Sequence, residues 1–413
     1  METLNLKNFK CRACESSDLS LVLNLGIQPL ANNLLRHEDL YKAEPKYPLR
    51  QVVCNRCHMV QIVDTIPPTI LFEEYLYFSS YSDTMLAHAK KCTQRYQEEM
   101  GLNAQSFVVE IASNDGYLLK NFVAQGIPVL GVEPAHNIAK VARQIGVETS
   151  EKFFGCQTAE EIVSQKGKAD LILGNNVLAH APDIHDFIKG IQILIKDQGR
   201  CVIEFPYLVD LVEKLEFDTI YHEHVYYFSL FALNAVYVAN GLEVNRCERV
   251  SIHGGSLRVF SSKKGAYQVE KSVEEILKLE EKIGVNSIDY YCDFSKQVGE
   301  LKEKTVQFIK KLRAEGKRVA AYGASAKSTT LLNFYGLGSG EIDFIVDRSP
   351  HKQNKFTPGT HIPIFSVDKL LKSQPDYTLL LTWNFAEEIL LQQKEYSNKG
   401  GKFIIPIPDI KVV

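Results

Sequence analysis

Two pairs of cysteines and a Tyr-His-Glu-His run are the parts of this 413-residue sequence whose residue types and spacing could do chemistry. Cys11-x-x-Cys14 and Cys54-x-x-Cys57 read as two knuckles, each presenting two thiolates from one tight turn. Four thiolates complete a tetrahedral zinc shell. A complete shell leaves no position for water or substrate, so such a zinc is structural. The 39 residues between the pairs exceed usual zinc-ribbon spacing, and strands must fill them. Nine cysteines are an odd number and too sparse for a disulfide scaffold. Paired as they are, they point to metal in a reducing compartment. Cys54-Asn-Arg-Cys57-His58 also fits a C-x-x-C-H haem attachment. That attachment needs export, the N-terminal residues carry no apolar signal core, and Cys11 and Cys14 would be left without a role. His58 is then a surface or packing residue.

The second constellation is Tyr221-His222-Glu223-His224, with Asn175-Asn176-Val177-Leu178-Ala179-His180 as its companion. H-E-x-x-H metalloprotease spacing would require His at position 226, which is Tyr226. His224 is the base candidate, because an imidazole titrating near 6.5 suits proton transfer at neutral pH. In a regular strand Glu223 and His224 would face opposite ways, so a shared pocket requires a bend.

A third feature is the run Val108 to Gly116, VVEIASNDG, which reads as a strand, a tight loop and a helix starting near Tyr117. The next strand ends in Glu133, 17 residues after Gly116, where an acid can take the hydroxyls of an adenosine ribose. Two glycines of G-x-G-x-x-G are missing, and Glu110 and Asp115 put negative charge where a pyrophosphate would lie. Those acids suit a cationic adenosine ligand carrying an amine and a sulfonium, S-adenosylmethionine.

These groups need a scaffold. FVVEIA, PVLGVE, ADLILG and RCVIEFP are short apolar runs separated by helical periods, the pattern of βαβ units and a parallel sheet covered on both faces. A helix is predicted over 83–100. A charged amphipathic stretch over 269–315 predicts one or two linking helices with a break near 284–286. A second series, RVAAYG, IDFIVD, YTLLLTW and KFIIPI, predicts a separate α/β domain. The reading is therefore an α/β chain of three parts: a zinc-binding domain over 1–70, a Rossmann-like domain for the adenosine cofactor over 71–268, and linking helices with a second Rossmann-like domain over 269–413. A net charge of −3 without a basic run argues against nucleic acid. No stretch of about 18 apolar residues occurs, so no membrane span is expected. A cytoplasmic monomer is the expectation.

In order along the chain, CRAC…CNRC, FEEYLYFSSYS, VVEIASNDGYLL, GVEP, NNVLAH, YHEHVYYFS, HGGSLRVF and GASAKSTTLLN closely resemble the zinc-containing sugar C-methyltransferases of antibiotic and surface-polysaccharide pathways. The resemblance spans nearly the whole chain. It implies S-adenosylmethionine as cofactor, structural zinc, and methylation at C3 of a dTDP-linked or other nucleotide-linked 4-keto-deoxysugar. It further implies that Glu110, Ala112, Asn114, Gly116, Glu133 and Asn175 line the cofactor pocket. Tyr75, His180, Tyr221, Glu223 and His224 would line the reacting centre, with His224 as base. Ser325, Lys327, Asp347 and Arg348 would hold the sugar nucleotide, on a loop that departs from a P-loop because Ala326 stands where G-K-[ST] requires Gly. The rivals are a sugar O- or N-methyltransferase and a non-catalytic zinc-ribbon binding protein with an inactive core.

Overall fold

The computed structural model describes residues 9–72 and 78–413. Strands fill the gap between the cysteine pairs: β1 (Leu19–Pro29) and β2 (Lys46–Cys54) pair antiparallel, and β3 (Val60–Ile62) follows. The fourth strand of this sheet comes from far along the chain. β9 (Tyr226–Tyr227), separated from the Tyr-His-Glu-His run by Val225 alone, pairs with β3, placing Val60 opposite Tyr227 and Gln61 opposite Tyr226.

The second sheet has seven strands. β4 (Val108–Ile111), β5 (Val129–Val132), β6 (Thr149–Ser150), β7 (Ala169–Asn175) and β8 (Ile195–Pro206) are parallel. The hairpin of β10 (Leu242–Val250) and β11 (Ser256–Lys263) adds to it antiparallel. The order is β10-β11-β8-β7-β4-β5-β6. β4 and β5 are buried at every position, which is why they read as unbroken apolar runs. The chain leaves β4 in one direction for β5 and β6 and returns on the other side as β7. The carboxyl ends of β4 and β7 are therefore a switch point, where open α/β sheets bind ligands.

The third sheet repeats that logic with β12 (Val319–Tyr322), β13 (Ile345–Val346), β14 (Ile364–Phe365), β15 (Tyr377–Leu380), β16 (Lys402–Ile405) and β17 (Lys411–Val412), in the order β14-β13-β12-β15-β16-β17. Its switch point lies between β12 and β15. The linking helices are Lys271–Ile283 and Ile288–Ala314, with the break at Gly284, which takes φ 84° as a left-handed cap. The longer helix buries Tyr291, Phe294, Val298, Leu301, Thr305, Ile309 and Leu312 along one stripe, and it touches both β1 and β12. One hydrophobic core consequently runs from Cys11 through all three sheets to Ile407. Among the described residues no helix is long and apolar enough to cross a membrane.

Glu280, inside the charged linker, is buried and caps another helix. Its carboxylate accepts from the amides of Leu230 (2.6 Å) and Phe231 (2.8 Å) and from the Tyr207 hydroxyl (2.7 Å). Burial pushes this carboxyl up, and the two amides oppose that. Glu280→Ala strands those donors and is expected to cost about 2–3 kcal/mol in chemical denaturation. A loss below about 0.5 kcal/mol would show that water replaces the carboxylate.

Candidate active site and metal centre

The four cysteine sulfurs converge, all within 4.8 Å of one another, with Cys11 to Cys57 at 3.5 Å and Cys14 to Cys54 at 3.6 Å. Tetrahedral zinc with Zn–S near 2.3 Å requires S···S of about 3.8 Å, so the cluster fits the ion. The two knuckles share one backbone form. Glu15 N–H donates to the Cys11 carbonyl and His58 N–H to the Cys54 carbonyl, both at 2.8 Å, and these two residues take φ 60° and 57°. His58 is thus the left-handed closing residue of its knuckle, and its ring packs edge-on against Phe231. Gln61, on β3, donates to the Cys11 sulfur at 3.1 Å and accepts from the Arg12 amide at 3.1 Å. Such a second-layer donor orients a metal ligand.

At the switch point of the second sheet the loop after β4 coils tightly, with Ala112, Asn114 and Gly116 all at positive φ. The expected helix start near Tyr117 is displaced: residues 117–119 form turns and the regular helix is only Lys120–Val123. The Glu133 carboxylate accepts from Asn114 N–H (3.0 Å) and Ala135 N–H (2.9 Å), tying the second strand's end to the loop. Burial pushes Glu133 up to about 7, opposed by those amides. Glu110 is driven well above the carboxylate range by burial and by the facing charges of Asp115 and Glu133. Glu110 Oε2 and Asp115 Oδ1 are buried without hydrogen-bond partners among the described residues. Three crowded carboxyls, two of them with an unpartnered oxygen, fit a cationic ligand and repel a pyrophosphate. Asn175 Nδ2 donates to the Tyr117 hydroxyl at 3.2 Å, tying the end of β7 to the loop after β4. Ser79 and Ser80, just before the Asp83–Met100 helix, donate backbone N–H groups to Asn114 and Asp115.

The Tyr-His-Glu-His run bends as required. His224 N–H donates to the Tyr221 carbonyl in a turn, and Val225 N–H donates to the Ala179 carbonyl, locking this segment to Asn175–His180. His224 and His180 meet edge-on with ring centroids 4.8 Å apart. Nδ1 of His224 lies 2.9 Å from the Thr219 carbonyl and Nε2 lies 2.9 Å from the Tyr221 hydroxyl. A carbonyl only accepts, so Nδ1 carries a proton, and in the neutral ring Nε2 keeps its lone pair and accepts from Tyr221. Burial lowers His180 to about 4, so its ring is neutral at ordinary pH. Glu223 turns to the zinc-bearing sheet, where Asn32 Nδ2 donates to it at 2.6 Å. His222 faces away and its Nε2 contacts the Pro48 carbonyl at 3.1 Å. Tyr75 lies outside the described residues.

The loop after β12 carries Ser325 as N-cap of the Ala326–Tyr335 helix. Gly323 is needed there because a Cβ would meet the Thr382 side chain at 2.5 Å. Asp347 accepts from the amides of Ala324 and Ser349 at 2.8 Å, so it shapes the loop. Lys327 Nζ lies 4.6 Å above the Trp383 ring, and Arg348 is half-exposed and paired with Glu388 and Asp83.

Sequence reasoning missed Asn32, and it missed His88, Glu204 and Arg258, a buried charged cluster under the Asn175–Asn176 turn. Arg258 and His88 both contact the Glu204 carboxylate, whose backbone carbonyl accepts from Asn176 N–H at 2.7 Å. A carboxyl inside the apolar run RCVIEFP was the available signal.

Family descriptions match the chain in succession: a zinc binding domain over residues 11–72, a methyltransferase domain over 85–246 and a C-methyltransferase C-terminal domain over 251–408. C-methyltransferase NovU of Streptomyces niveus is 39% identical over 405 residues, which is 98% of this chain and 96% of NovU. The chain belongs to the zinc-containing C-methyltransferases. A ubiquinone biosynthesis O-methyltransferase of Bartonella bacilliformis is 27% identical over 97 residues, only 23% of this chain and 39% of that protein. The magnesium protoporphyrin IX methyltransferase of Synechocystis PCC 6803, solved with bound S-adenosylmethionine, is 15% identical at a TM-score of 0.34, covering 44% of this chain and 82% of that one. This C-methyltransferase therefore uses S-adenosylmethionine and carries zinc in its four-cysteine site.

Proposed function

We propose that the acceptor is C3 of a nucleotide-linked 4-keto-deoxysugar, dTDP-linked in the first instance, and that His224 is the base. The observation that carries this reading is the pair of contacts made by the two ring nitrogens of His224. Its Nδ1 proton is committed to the Thr219 carbonyl, so the basic Nε2 faces Tyr221 beside His180. A hydrogen next to a C4 ketone is acidic enough for an imidazole to remove, giving an enolate. When bound, S-adenosylmethionine supplies an electrophilic methyl group. This chain's residues then hold C3 in line and donate to the enolate oxygen, which is where most of the acceleration arises. Neutral His180 is the donor, Tyr221 is freed to donate once Nε2 of His224 has taken the C3 proton, and Glu223, braced by Asn32, positions the sugar. Glu110, Ala112, Asn114, Gly116, Glu133 and Asn175 line the cofactor pocket. Ser325 and Lys327 hold the nucleotide end, Asp347 shapes their loop, and Arg348 sits at its rim. Mass spectrometry of products from a panel of dTDP- and CDP-keto-sugars tests the reading. A methyl group found on oxygen or nitrogen overturns it.

Glu133 gives a second test. Glu133→Ala is expected to weaken S-adenosylmethionine binding by about 1–3 kcal/mol through lost bonds to the ribose. The pH dependence has a definite sign. The carboxyl is raised from 4.5 to about 7, so it is protonated in the folded protein at mildly acid pH and ionises as pH rises through about 7. The carboxylate accepts two hydroxyls better than the acid does. Affinity measured by calorimetry should therefore climb from pH 6 to 8, and Glu133→Gln should flatten that rise. Unchanged affinity in Glu133→Ala would remove this residue from the pocket.

A further inference from the structure

We propose that Trp383 and Asp218 are positioning residues through which the C-terminal domain fixes the tautomer and orientation of His224. The proposal rests on His224 being the base. The Thr219 carbonyl that holds His224 Nδ1 belongs to a single 3-10 turn, Phe217–Thr219. The residues flanking Thr219 on both sides are fastened to the C-terminal domain. The Phe217 ring lies against Phe334 and Tyr335, with centroids 5.4 and 5.3 Å away. Asp218 is fully buried, and its Oδ2 accepts from Trp383 Nε1–H at 2.8 Å. The Ile220 carbonyl accepts from the Thr330 hydroxyl at 3.1 Å. Trp383 stands just after β15, at the switch point of the third sheet, facing Lys327 in the first turn of the Ala326–Tyr335 helix.

The charges around Asp218 make this contact consequential. A fully buried carboxyl is costly unless it is hydrogen-bonded or opposed by a cation. Burial raises Asp218 to about 6, while Lys327 and the Trp383 N–H lower it. Glu216, also buried, faces the same lysine and Lys214. Removing the indole donor leaves Asp218 poorly satisfied at the edge of the turn. The turn then shifts, and the Thr219 carbonyl loses its aim at His224. A base whose Nδ1 partner is lost populates the other tautomer, which puts a proton on Nε2 and blocks proton abstraction. Trp383 and Asp218 act through Thr219 and His224 and need not touch the reacting atoms.

The test uses the full-length zinc-bound enzyme and variants Trp383→Phe, Asp218→Leu and Asp218→Asn. ¹⁵N spectra of histidine-labelled protein, with His224 assigned by its absence in His224→Asn, read the tautomer directly. Wild type should show the proton on Nδ1. Trp383→Phe and Asp218→Leu should show a mixture and lose about 10–10²-fold in kcat, the scale of a small misplacement. Their KM for keto-sugar, affinity for S-adenosylmethionine and zinc content should stay within about threefold of wild type. Asp218→Asn keeps an acceptor for the indole and should retain the wild-type tautomer and kcat. A wild-type His224 spectrum in both Trp383→Phe and Asp218→Leu overturns the proposal. So does a raised KM with unchanged kcat, which would make Trp383 a substrate contact. The tautomer readout does not depend on turnover, so a failure of His224 as base, seen as activity in His224→Asn, is distinguishable from a failure of the positioning.

Discussion

His224→Asn is expected to lower turnover by about 10²–10⁴-fold, the usual size of a general-base contribution. Affinity for S-adenosylmethionine should stay within about threefold, because the cofactor loop is built from other residues. The amide can keep a hydrogen bond to the Thr219 carbonyl or to Tyr221 in a similar volume, so the turn over 221–224 has reason to persist. It cannot accept and carry away a proton at neutral pH. Isotope exchange separates a base from a bystander. With keto-sugar in D₂O and S-adenosylhomocysteine in place of the methyl donor, wild type should wash deuterium into C3 and the variant should not. Exchange at the wild-type rate would move the base to Tyr221, whose hydroxyl already meets Nε2, or to His180.

The second large effect is expected at the metal. Purified protein should hold about one zinc per chain, and Cys54→Ser/Cys57→Ser should hold none. Because metal binding in such sites is folding free energy, of order 10 kcal/mol, the N-terminal sheet should lose its order in that variant. The damage should reach the active site. β9 pairs with β3, the strand whose Gln61 donates to the Cys11 sulfur, and His224 lies two residues before β9. Asn32, which holds Glu223, lies just beyond β1. Turnover should therefore fall by more than about 10³-fold, while calorimetry still detects S-adenosylmethionine binding to the central sheet. Full zinc stoichiometry in the double variant would reassign the ligands. Wild-type turnover without zinc would show that β3 and β9 hold together unaided.

Much of this architecture is legible from spacing alone. Paired C-x-x-C turns, fully buried strands such as VVEI and VLGV, and the break at Gly284 are local signals, and local signals survive in sequence. The pair Tyr221 and His224 is legible because three residues in one turn place them together. What is hidden is non-local. Nothing in the types of His222 and His224 shows that one faces Pro48 and the other His180, since the bend that separates them is imposed by neighbours on three elements. Asn32 meets Glu223 across 191 positions, and Trp383 meets Asp218 across 165, so neither partner carries a periodic signature. The buried Glu204–Arg258 pair was masked by the apolar residues around it.

The placement of β9 has a consequence in time. Residue 62 ends β3 and residue 227 ends its partner, so 227 − 62 = 165 further residues must be made before the first sheet can be finished. At about 5–20 residues per second, that interval is roughly 8–33 s of synthesis. The cysteine knuckles can capture zinc early, but the hydrogen-bonding edge of β3 stays bare on the nascent chain, a surface that invites pairing with other polypeptides. A fragment ending near residue 70 should therefore emerge metal-loaded yet sticky, and adding a separate short peptide equivalent to residues 221–229 should suppress its aggregation.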